Sequence, residues 1–313
     1  MRISHILLVI AIAVAAVAGG LFIYYKNELR QARDAATRSS LIAATSVGPI
    51  EYAIEGAGIP LLSIHGAGGG FDQGLANAAA LLGEGFRVIA PSRFGYLGTP
   101  VPADASPAAQ AHAHAALLSA LNIPKAVVLG VSAGARSAVE LALRRPDAVT
   151  ALILISPALY APRSPVSIEA SRGSKLAFWA VNTGGDFVWW AAENIAPATL
   201  IRFLGVQPAI VETAPQAGRE RVMSIVRSIE PLSLRFPGIN VDSTADLHEL
   251  PLEKITSPTL IISARDDLFN TLPAAEFAAS KIPGAKLIVY DTGGHLLVGH
   301  EQEVRTAVRT FLH

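Results

Sequence analysis

The stretch that most constrains the fold is Val127–Ala138, VVLGVSAGARSA, where an apolar run passes abruptly into helix-forming residues. The valines and leucine favour a buried strand, and the alanine-rich continuation favours a helix. Between them, Gly130-Val131-Ser132-Ala133-Gly134 matches the pattern G-x-S-x-G. At a sharp strand-to-helix turn this pattern holds a serine hydroxyl exposed at the edge of a sheet. Ser132 is therefore a candidate nucleophile; the simpler alternative is an ordinary turn serine.

Apolar strands alternate with helical segments on both sides of this stretch. Further strands are predicted within residues 46–66, 86–92, 149–156, 258–263 and 285–291. Apolar strands that alternate with helices indicate an α/β fold with a mostly parallel, doubly wound sheet. The alternation pauses over residues 157–257, which are rich in proline and aromatic residues. We interpret this block as a mostly helical lid inserted into one core, residues 46–156 and 258–313.

The first segment predicts a transmembrane helix. Ile6–Tyr25, ILLVIAIAVAAVAGGLFIYY, contains no charged residue. As a helix it extends about 30 Å, the thickness of the hydrocarbon core of a bilayer. Tyr24 and Tyr25 stand where an interfacial aromatic pair is typical. We interpret residues 1–25 as an uncleaved membrane anchor and residues 26–45 as a polar stalk.

A cleaved signal peptide is the alternative interpretation. Arg2 supplies a positive n-region and Ala16-Val17-Ala18 resembles a cleavage site, which would give a secreted or periplasmic protein. The apolar run continues beyond that site to Ile23, which favours an anchor. Basic residues after the span favour a cytoplasmic domain under the positive-inside rule, but the contrast is small and leaves the side of the membrane open.

A serine hydroxyl needs a neighbouring base, and His295 in DTGGHLL is the candidate. It follows the last predicted strand in a flexible Gly-Gly loop, whereas His300, the second choice, lies beside the last helix. The base needs a carboxylate to orient it. Asp266 and Asp267 directly follow the strand that ends at Ser263. Because neighbouring side chains diverge, only one reaches the histidine, and we choose Asp267.

The segment HGAGGG, His65–Gly70, supplies the fourth part of the site. Glycines let backbone N–H groups converge on an oxygen that becomes negative, so the N–H groups of Ala67 and Ala133 are the predicted oxyanion hole. His65 is expected to brace the loop. A phosphate-binding loop is the competing interpretation, but neither G-x-G-x-x-G nor a Gly-Lys-Ser/Thr ending is present.

The charge balance, the lack of cysteine and the histidine spacing argue against several kinds of binding site and catalytic group. The 25 Lys and Arg balance the 25 Asp and Glu, so no affinity for nucleic acid is indicated. The chain has no cysteine, which excludes disulfides, thiolate zinc sites and a cysteine nucleophile. His112 and His114 lie two apart on a predicted helix and point to different faces, so we expect no metal site there. The oligomeric state is not predicted.

In this order, HGAGGG, GVSAG, the Asp266-Asp267 pair and GGH resemble the α/β-hydrolase fold superfamily, in its serine hydrolase branch with a Ser-Asp-His triad. The resemblance covers about Pro49 to the C-terminus, and PSRFGYLGTP also resembles a family loop, although its glycines are spaced differently. It implies an eight-stranded sheet, a cap over the site and no cofactor. Serine at the turn argues against the dehalogenase and epoxide-hydrolase branches, which carry aspartate there.

We therefore expect a carboxylesterase- or lipase-like hydrolase of a small ester. Trp179, Trp189 and Trp190 in the lid block motivate the hypothesis of a lipophilic substrate. The same triad also supports C–C bond hydrolysis, acyl transfer or perhydrolysis. A non-catalytic, membrane-anchored binding protein is the alternative from a different class.

Overall fold

The computed structural model describes residues 2–162 and 185–313 of the chain. One eight-stranded sheet forms its centre, in the order β1-β2-β4-β3-β5-β6-β7-β8. The strands β1 to β8 span Leu41–Thr45, Gly48–Glu55, Ile59–Ile64, Phe86–Pro91, Ala126–Val131, Val149–Ile155, Thr259–Ala264 and Lys286–Tyr290. Strand β2 pairs antiparallel with β1 and with β4, and all other neighbours are parallel. The predicted mostly parallel α/β sheet is confirmed.

The described helices are numbered α1 to α11. They span Arg2–Arg38, Phe71–Leu81, Pro107–Ala120, Gly134–Arg144, Gly185–Ile195, Pro197–Phe203, Pro208–Thr213, Gln216–Ser228, Phe236–Thr244, Leu272–Lys281 and Glu301–Leu312. Of these, α2, α3, α4, α10 and α11 cover the two faces of the sheet, and α5 to α9 form the block between β6 and β7. Helices α3, α4 and α10 pack on one face of the sheet, and α2 and α11 on the other. The sheet is therefore doubly wound, as predicted.

The central strands show why continuous apolar runs are needed. Leu152 and Leu154 of β6 point into the layer that contains α3 and α4, while Ile153 points into the layer that contains α2. All three side chains are fully buried. Successive side chains of a strand face opposite sides, so a strand covered by helices on both faces needs apolar residues at consecutive positions.

The sheet begins earlier in the chain than predicted. Residues 41–45, assigned above to a polar stalk, form edge strand β1, and residues 26–38 continue α1 without a break. Strand β1 pairs with β2 through a tight hairpin in which Gly48 has a φ of 110°. This strand has only five residues, and its two large apolar side chains are exposed. It therefore lacks the alternation of apolar and polar residues by which a strand is recognised in a sequence.

Helix α1 is long and apolar enough to cross a membrane. None of its apolar window is buried against the rest of the protein, which distinguishes it from the core helix of a soluble domain. Its C-terminal part contacts the domain, where the side chains of Tyr25, Leu29 and Ala36 are buried.

The described part of the block predicted as a lid, residues 185–257, is mostly helical. Helices α5 to α9 form it, and they enclose two apolar clusters of their own. One cluster is built around Trp189 and Val226, and the other around Val206 and Val222. The block is therefore a packed layer with its own apolar cores.

Shortening a central core side chain should destabilise the domain. We expect Leu152→Ala to lower the free energy of unfolding by about 2–5 kcal/mol, because it removes a fully buried side chain from a strand paired on both sides. Leu41→Ala on β1, where the side chain is 57% exposed, is the control and should change it by less than about 0.5 kcal/mol. Urea unfolding followed by circular dichroism measures both; equal losses would contradict the assignment of the core.

Candidate active site

Ser132 lies in a strained turn between β5 and α4. Its φ is 52°, in the left-handed region that non-glycine residues rarely adopt. The Ser132 N–H donates to the carbonyl of Ile155 on β6 at 2.9 Å, and the Ser132 carbonyl accepts from Ala135 at 3.0 Å and Ala158 at 3.1 Å. The turn is therefore held from both sides, which is the condition under which backbone strain persists in a folded protein.

The two glycines of the motif are required by close packing. A Cβ on Gly130 would lie 2.7 Å from the Cβ of Ala138, and one on Gly134 would lie 2.5 Å from the carbonyl oxygen of His65. Both distances are shorter than carbon contacts allow. Helix α4 can therefore start directly against β5 and the His65 loop only because these positions carry no side chain.

The structure brings His295 and Asp267 together. The Nδ1 of His295 lies 2.8 Å from Oδ2 of Asp267, and both side chains are almost fully buried. Asp267 Oδ1 accepts from the Phe269 N–H at 2.8 Å, and the Thr271 hydroxyl donates to Oδ2. Since Nδ1 donates its proton to the carboxylate, Nε2 is left with a free lone pair, which is the form a general base needs.

Asp267 is held as a carboxylate. Burial raises the pKa of its carboxyl group, but the charge and hydrogen bond of His295 and the hydrogen bond from Thr271 outweigh burial, and the pKa lies below its ordinary value. Asp266 has a different task, because its Oδ1 accepts from the Gly294 N–H at 2.7 Å and supports the loop before His295. His300 stacks on Tyr290, with ring centroids 4.1 Å apart, away from this group.

Gly205, in the turn after α6, is a part of the site that sequence reasoning missed. Its carbonyl accepts from the N–H of His295 and from that of Leu268, both at 3.1 Å. A Cβ on Gly205 would lie 2.6 Å from the Cβ of His295. One glycine of the inserted block thus joins the loop of His295 to the loop of Asp267, and it carries no sequence signal beyond its residue type.

The predicted oxyanion loop lies beside the serine. Ala67 and Ala133 line the same cavity as Ser132 and His295. Within residues 2–162 and 185–313, the backbone N–H groups of these two alanines donate to no protein acceptor. Two unpaired donors at the wall of a cavity are available to an oxyanion.

His65 braces this loop rather than facing the cavity. Its Nε2 accepts from the Arg93 N–H at 3.0 Å, so Nδ1 carries the proton and donates to the Gly66 carbonyl at 2.7 Å. Burial, followed by the charge of Arg93, lowers the pKa of His65 well below its ordinary value. Because both nitrogens of this neutral imidazole are hydrogen-bonded to the protein, His65 holds the loop in position. Gln73 adds a hydrogen bond of 3.0 Å from the Gly66 N–H.

A buried ion pair joins the core to the inserted block. Arg93, in the loop after β4, forms a bidentate salt bridge with the carboxylate of Asp242 of α9, with N–O distances of 2.7 and 2.6 Å. The Tyr96 hydroxyl donates to the same carboxylate at 2.5 Å. Arg93 Nε also donates to the His65 carbonyl at 3.0 Å, and Arg136 of α4 donates to the Asp242 carbonyl at 2.8 Å. The loop that contains His65, helix α4 and the inserted block are thus joined through one group of buried polar side chains.

The cavity above Ser132 is mostly apolar. Side chains from the inserted block that line it include Phe203, Leu204, Ile225, Ile229 and Leu232.

The tryptophans that motivated a lipophilic substrate lie elsewhere. The Trp189 indole packs in the block's own core and donates to the Val226 carbonyl at 3.0 Å. Trp190 packs on Tyr25 of α1, and Trp179 lies outside the described residues. That premise was wrong for Trp189 and Trp190, because sequence shows that a residue is apolar but not which neighbour buries it.

In the parts of the chain described here, no cluster of three or more His, Asp or Glu side chains is arranged to hold a metal ion. His114 is buried and its Nε2 lies 3.1 Å from the Ser137 hydroxyl. Burial, followed by the charge of Arg93, lowers its pKa to about 3. It is a neutral core side chain.

Comparison with known proteins decides the family. The family model of the alpha/beta hydrolase fold matches residues 59–301. The chain belongs to this family. An alpha/beta hydrolase fold protein from Nakamurella multipartita superimposes on it with a TM-score of 0.69 at 29% identity, covering 88% of this chain and 99% of that protein.

Two hydrolases that are similar to this chain act on different substrates. The 2-hydroxymuconate semialdehyde hydrolase of Pseudomonas putida is 26% identical over 265 residues, 82% of this chain and 88% of that enzyme. The pimeloyl-(acyl-carrier protein) methyl ester esterase of Aromatoleum aromaticum is 29% identical over 240 residues, 75% of this chain and 90% of that enzyme. Similarity to these hydrolases covers most of the chain without selecting one substrate.

Removing the charge of Asp242 should destabilise the protein. We expect Asp242→Asn to lower the free energy of unfolding by about 3–5 kcal/mol at pH 7, because Arg93 stays buried without a counter-ion. Asp147→Asn, which breaks the exposed pair with Arg145, is the control and should have little effect. Urea unfolding measures both.

The effect of Asp242→Asn should depend on pH. Burial raises the pKa of Asp242, but the Arg93 charge and hydrogen bond outweigh it, and the pKa lies below the ordinary value of 3.8. The carboxylate's contribution is therefore complete above about pH 4 and is lost as the pH falls through the folded-state pKa. The difference between wild type and variant should shrink below about pH 4. A constant difference would contradict the assignment.

Proposed function

We propose that this protein is a serine hydrolase that cleaves ester-like bonds through an acyl-enzyme. The observation that carries the proposal is the 2.8 Å contact of His295 with Asp267 at the wall of the cavity that also exposes Ser132. A nucleophile, a base and an orienting acid are the three parts that acyl transfer requires.

In this mechanism His295 Nε2 takes the proton of Ser132 as the hydroxyl oxygen attacks the substrate carbonyl. The negative oxygen accepts hydrogen bonds from the N–H groups of Ala67 and Ala133. The protonated imidazole, stabilised by Asp267, then gives its proton to the leaving group. Water, deprotonated by His295, attacks the acyl-enzyme and releases the acid.

Substitution of the triad should affect activity unequally. Ser132→Ala or His295→Ala should lower kcat by about 10⁵–10⁶-fold, because the residues act as a unit. Asp267→Asn should lower it by about 10³–10⁴-fold, because the imidazole loses its orienting charge. Hydrolysis of p-nitrophenyl butyrate measures both effects.

Labelling with a fluorophosphonate tests the nucleophile directly. Ser132→Ala should abolish labelling. Ser243→Ala is the matched control, since Ser243 also lines the cavity but uses its hydroxyl to donate to the Asn240 carbonyl. Labelling that survives Ser132→Ala and disappears with another serine would refute the assignment.

The apolar walls of the cavity favour a lipophilic acyl group. Each buried methylene contributes about 0.8 kcal/mol, so butyryl should exceed acetyl esters by about 15-fold in kcat/KM. The measurement is a series of p-nitrophenyl esters of increasing chain length. Equal values for acetyl and longer chains would show that these walls do not bind the acyl group.

C–C bond hydrolysis is the second candidate, favoured by the similarity to 2-hydroxymuconate semialdehyde hydrolase. The two candidates are separated by comparing kcat/KM for that semialdehyde with kcat/KM for p-nitrophenyl esters. Acyl transfer and perhydrolysis, which use the same triad, are separated by analysing products in the presence of an alcohol or hydrogen peroxide. Absence of both turnover and labelling would favour a binding protein.

We also propose that α1 anchors this hydrolase to a membrane. Its apolar run extends past Ala18, where a signal peptidase would cut, up to Tyr25, where the helix meets the folded domain. Alkaline carbonate extraction of membranes carrying the full chain tests the anchor: an anchored protein stays in the pellet with its N-terminus intact.

A further inference from the structure

Helix α5 of the inserted block is attached to α1 by a series of contacts. Asp186, near the start of α5, lies 3.5 Å from the Arg33 guanidinium. One turn later, the Trp190 indole N–H donates to Glu28 at 2.6 Å. The Trp190 ring also packs on Tyr25, with centroids 5.4 Å apart.

These contacts define the direction of α5. From Arg33 to Glu28 is about 7.5 Å along α1, and from Asp186 to Trp190 is about 6 Å along α5. The two helices therefore run in opposite chain directions over similar lengths. The C-terminal end of α5 points the same way as the N-terminal, apolar end of α1.

Ile195 ends α5 at the level of the apolar run. It lies about 7.5 Å beyond Trp190 along the helix. The same distance along α1 from Glu28 leads to Ile23, inside the uncharged run Ile6–Tyr25. Ile195 is 83% exposed, more than any of the exposed apolar side chains of α1.

Two further exposed apolar side chains share this surface. At about 100° per residue, Phe187, Val188 and Ile195 all fall within about 100° of the helix circumference. Phe187 and Val188 are each 48% exposed. The Phe187 ring lies 5.2 Å from that of Tyr25 at the end of the apolar run. This face of α5 is therefore continuous with the apolar surface of α1.

We propose that the C-terminal end of α5 is a bilayer-contact surface, and that Ile195 inserts into the membrane at the depth of Ile23. The occupant is lipid because the face continues the surface of a helix that matches the length of a bilayer core. Trp190, Tyr24 and Tyr25 then form an aromatic group at the membrane–water boundary, and Lys26 and Arg30 follow on the polar side. The proposal rests on the anchoring of α1 proposed above.

The contact has a consequence for substrate access. Phe203 of α6 lines the cavity of Ser132 and is also 39% exposed. Its ring packs edge-on against Trp189 of α5, with centroids 5.6 Å apart. Since only Ala196 separates α5 from α6, the helix that meets lipid is joined directly to a wall of the cavity. A lipophilic ester dissolved in the bilayer reaches the cavity from this side.

Site-directed spin labelling tests the contact, and the absence of native cysteine makes each label unique. The full chain is reconstituted in vesicles of phosphatidylcholine and phosphatidylglycerol, labelled as Ile195→Cys, and its accessibility to oxygen and to a water-soluble nickel chelate is measured. Ile59→Cys is the matched control, a 47% exposed isoleucine at the start of β3. Val14→Cys reports on the span itself.

We expect Ile195 to show the high oxygen and low nickel accessibility of Val14, and Ile59 to show the reverse. If Val14 reports lipid and Ile195 reports water like Ile59, the contact is refuted while the anchor stands. Low accessibility to both reagents at Ile195 would mean that protein, such as a second copy of the chain, covers the face, which also refutes the proposal. If Val14 itself reports water, the anchor fails and the contact with it.

Activity gives a second measurement. Ile195→Asp should lower hydrolysis of a long-chain ester in vesicles by about fivefold, because a carboxylate resists insertion. It should leave hydrolysis of a water-soluble ester unchanged, whereas Ile59→Asp should affect neither. Equal loss on both esters after Ile195→Asp would indicate a folding defect and contradict the proposal.

Discussion

The buried ion pair between Arg93 and Asp242 is the contact on which the arrangement of the site depends. It joins residues 149 positions apart and closes the inserted block onto the sheet. Two charges in the interior are tolerated because the salt bridge is bidentate and the Tyr96 hydroxyl donates to the same carboxylate. Arg136 of α4 donates to the main-chain carbonyl of Asp242. Because Arg93 also donates to the His65 carbonyl, the positions of the inserted block, helix α4 and the His65 loop are coupled.

Much of the fold could be predicted because its signals are local. The alternation of apolar strands and helices, and the glycines around Ser132, act over a few residues and are legible in the chain. The short strand β1 was missed, since five residues next to a long helix give almost no period. The order of the strands follows from pairings between distant segments, and only the family resemblance implied the size of the sheet.

Less of the site than of the fold could be predicted from the sequence. The choice between Asp266 and Asp267 depends on which side chain faces His295, a question of geometry that composition does not answer. Gly205 and Asp242 lie in the inserted block, where no local pattern marks them. The tryptophans misled for the same reason: burial can be expected from residue type, but the partner is set by packing. Trp189 therefore packs in the block's own core and Trp190 packs on α1, and neither lines the cavity.

The left-handed backbone of Ser132 has a consequence for how this protein can change over time. A non-glycine residue in that conformation costs on the order of 1–3 kcal/mol, a cost that glycine does not bear. If selection no longer required activity, a substitution of Ser132 by glycine would remove this strain and make the protein more stable. The nucleophile proposed at this position is thus retained at a cost in stability that glycine would remove.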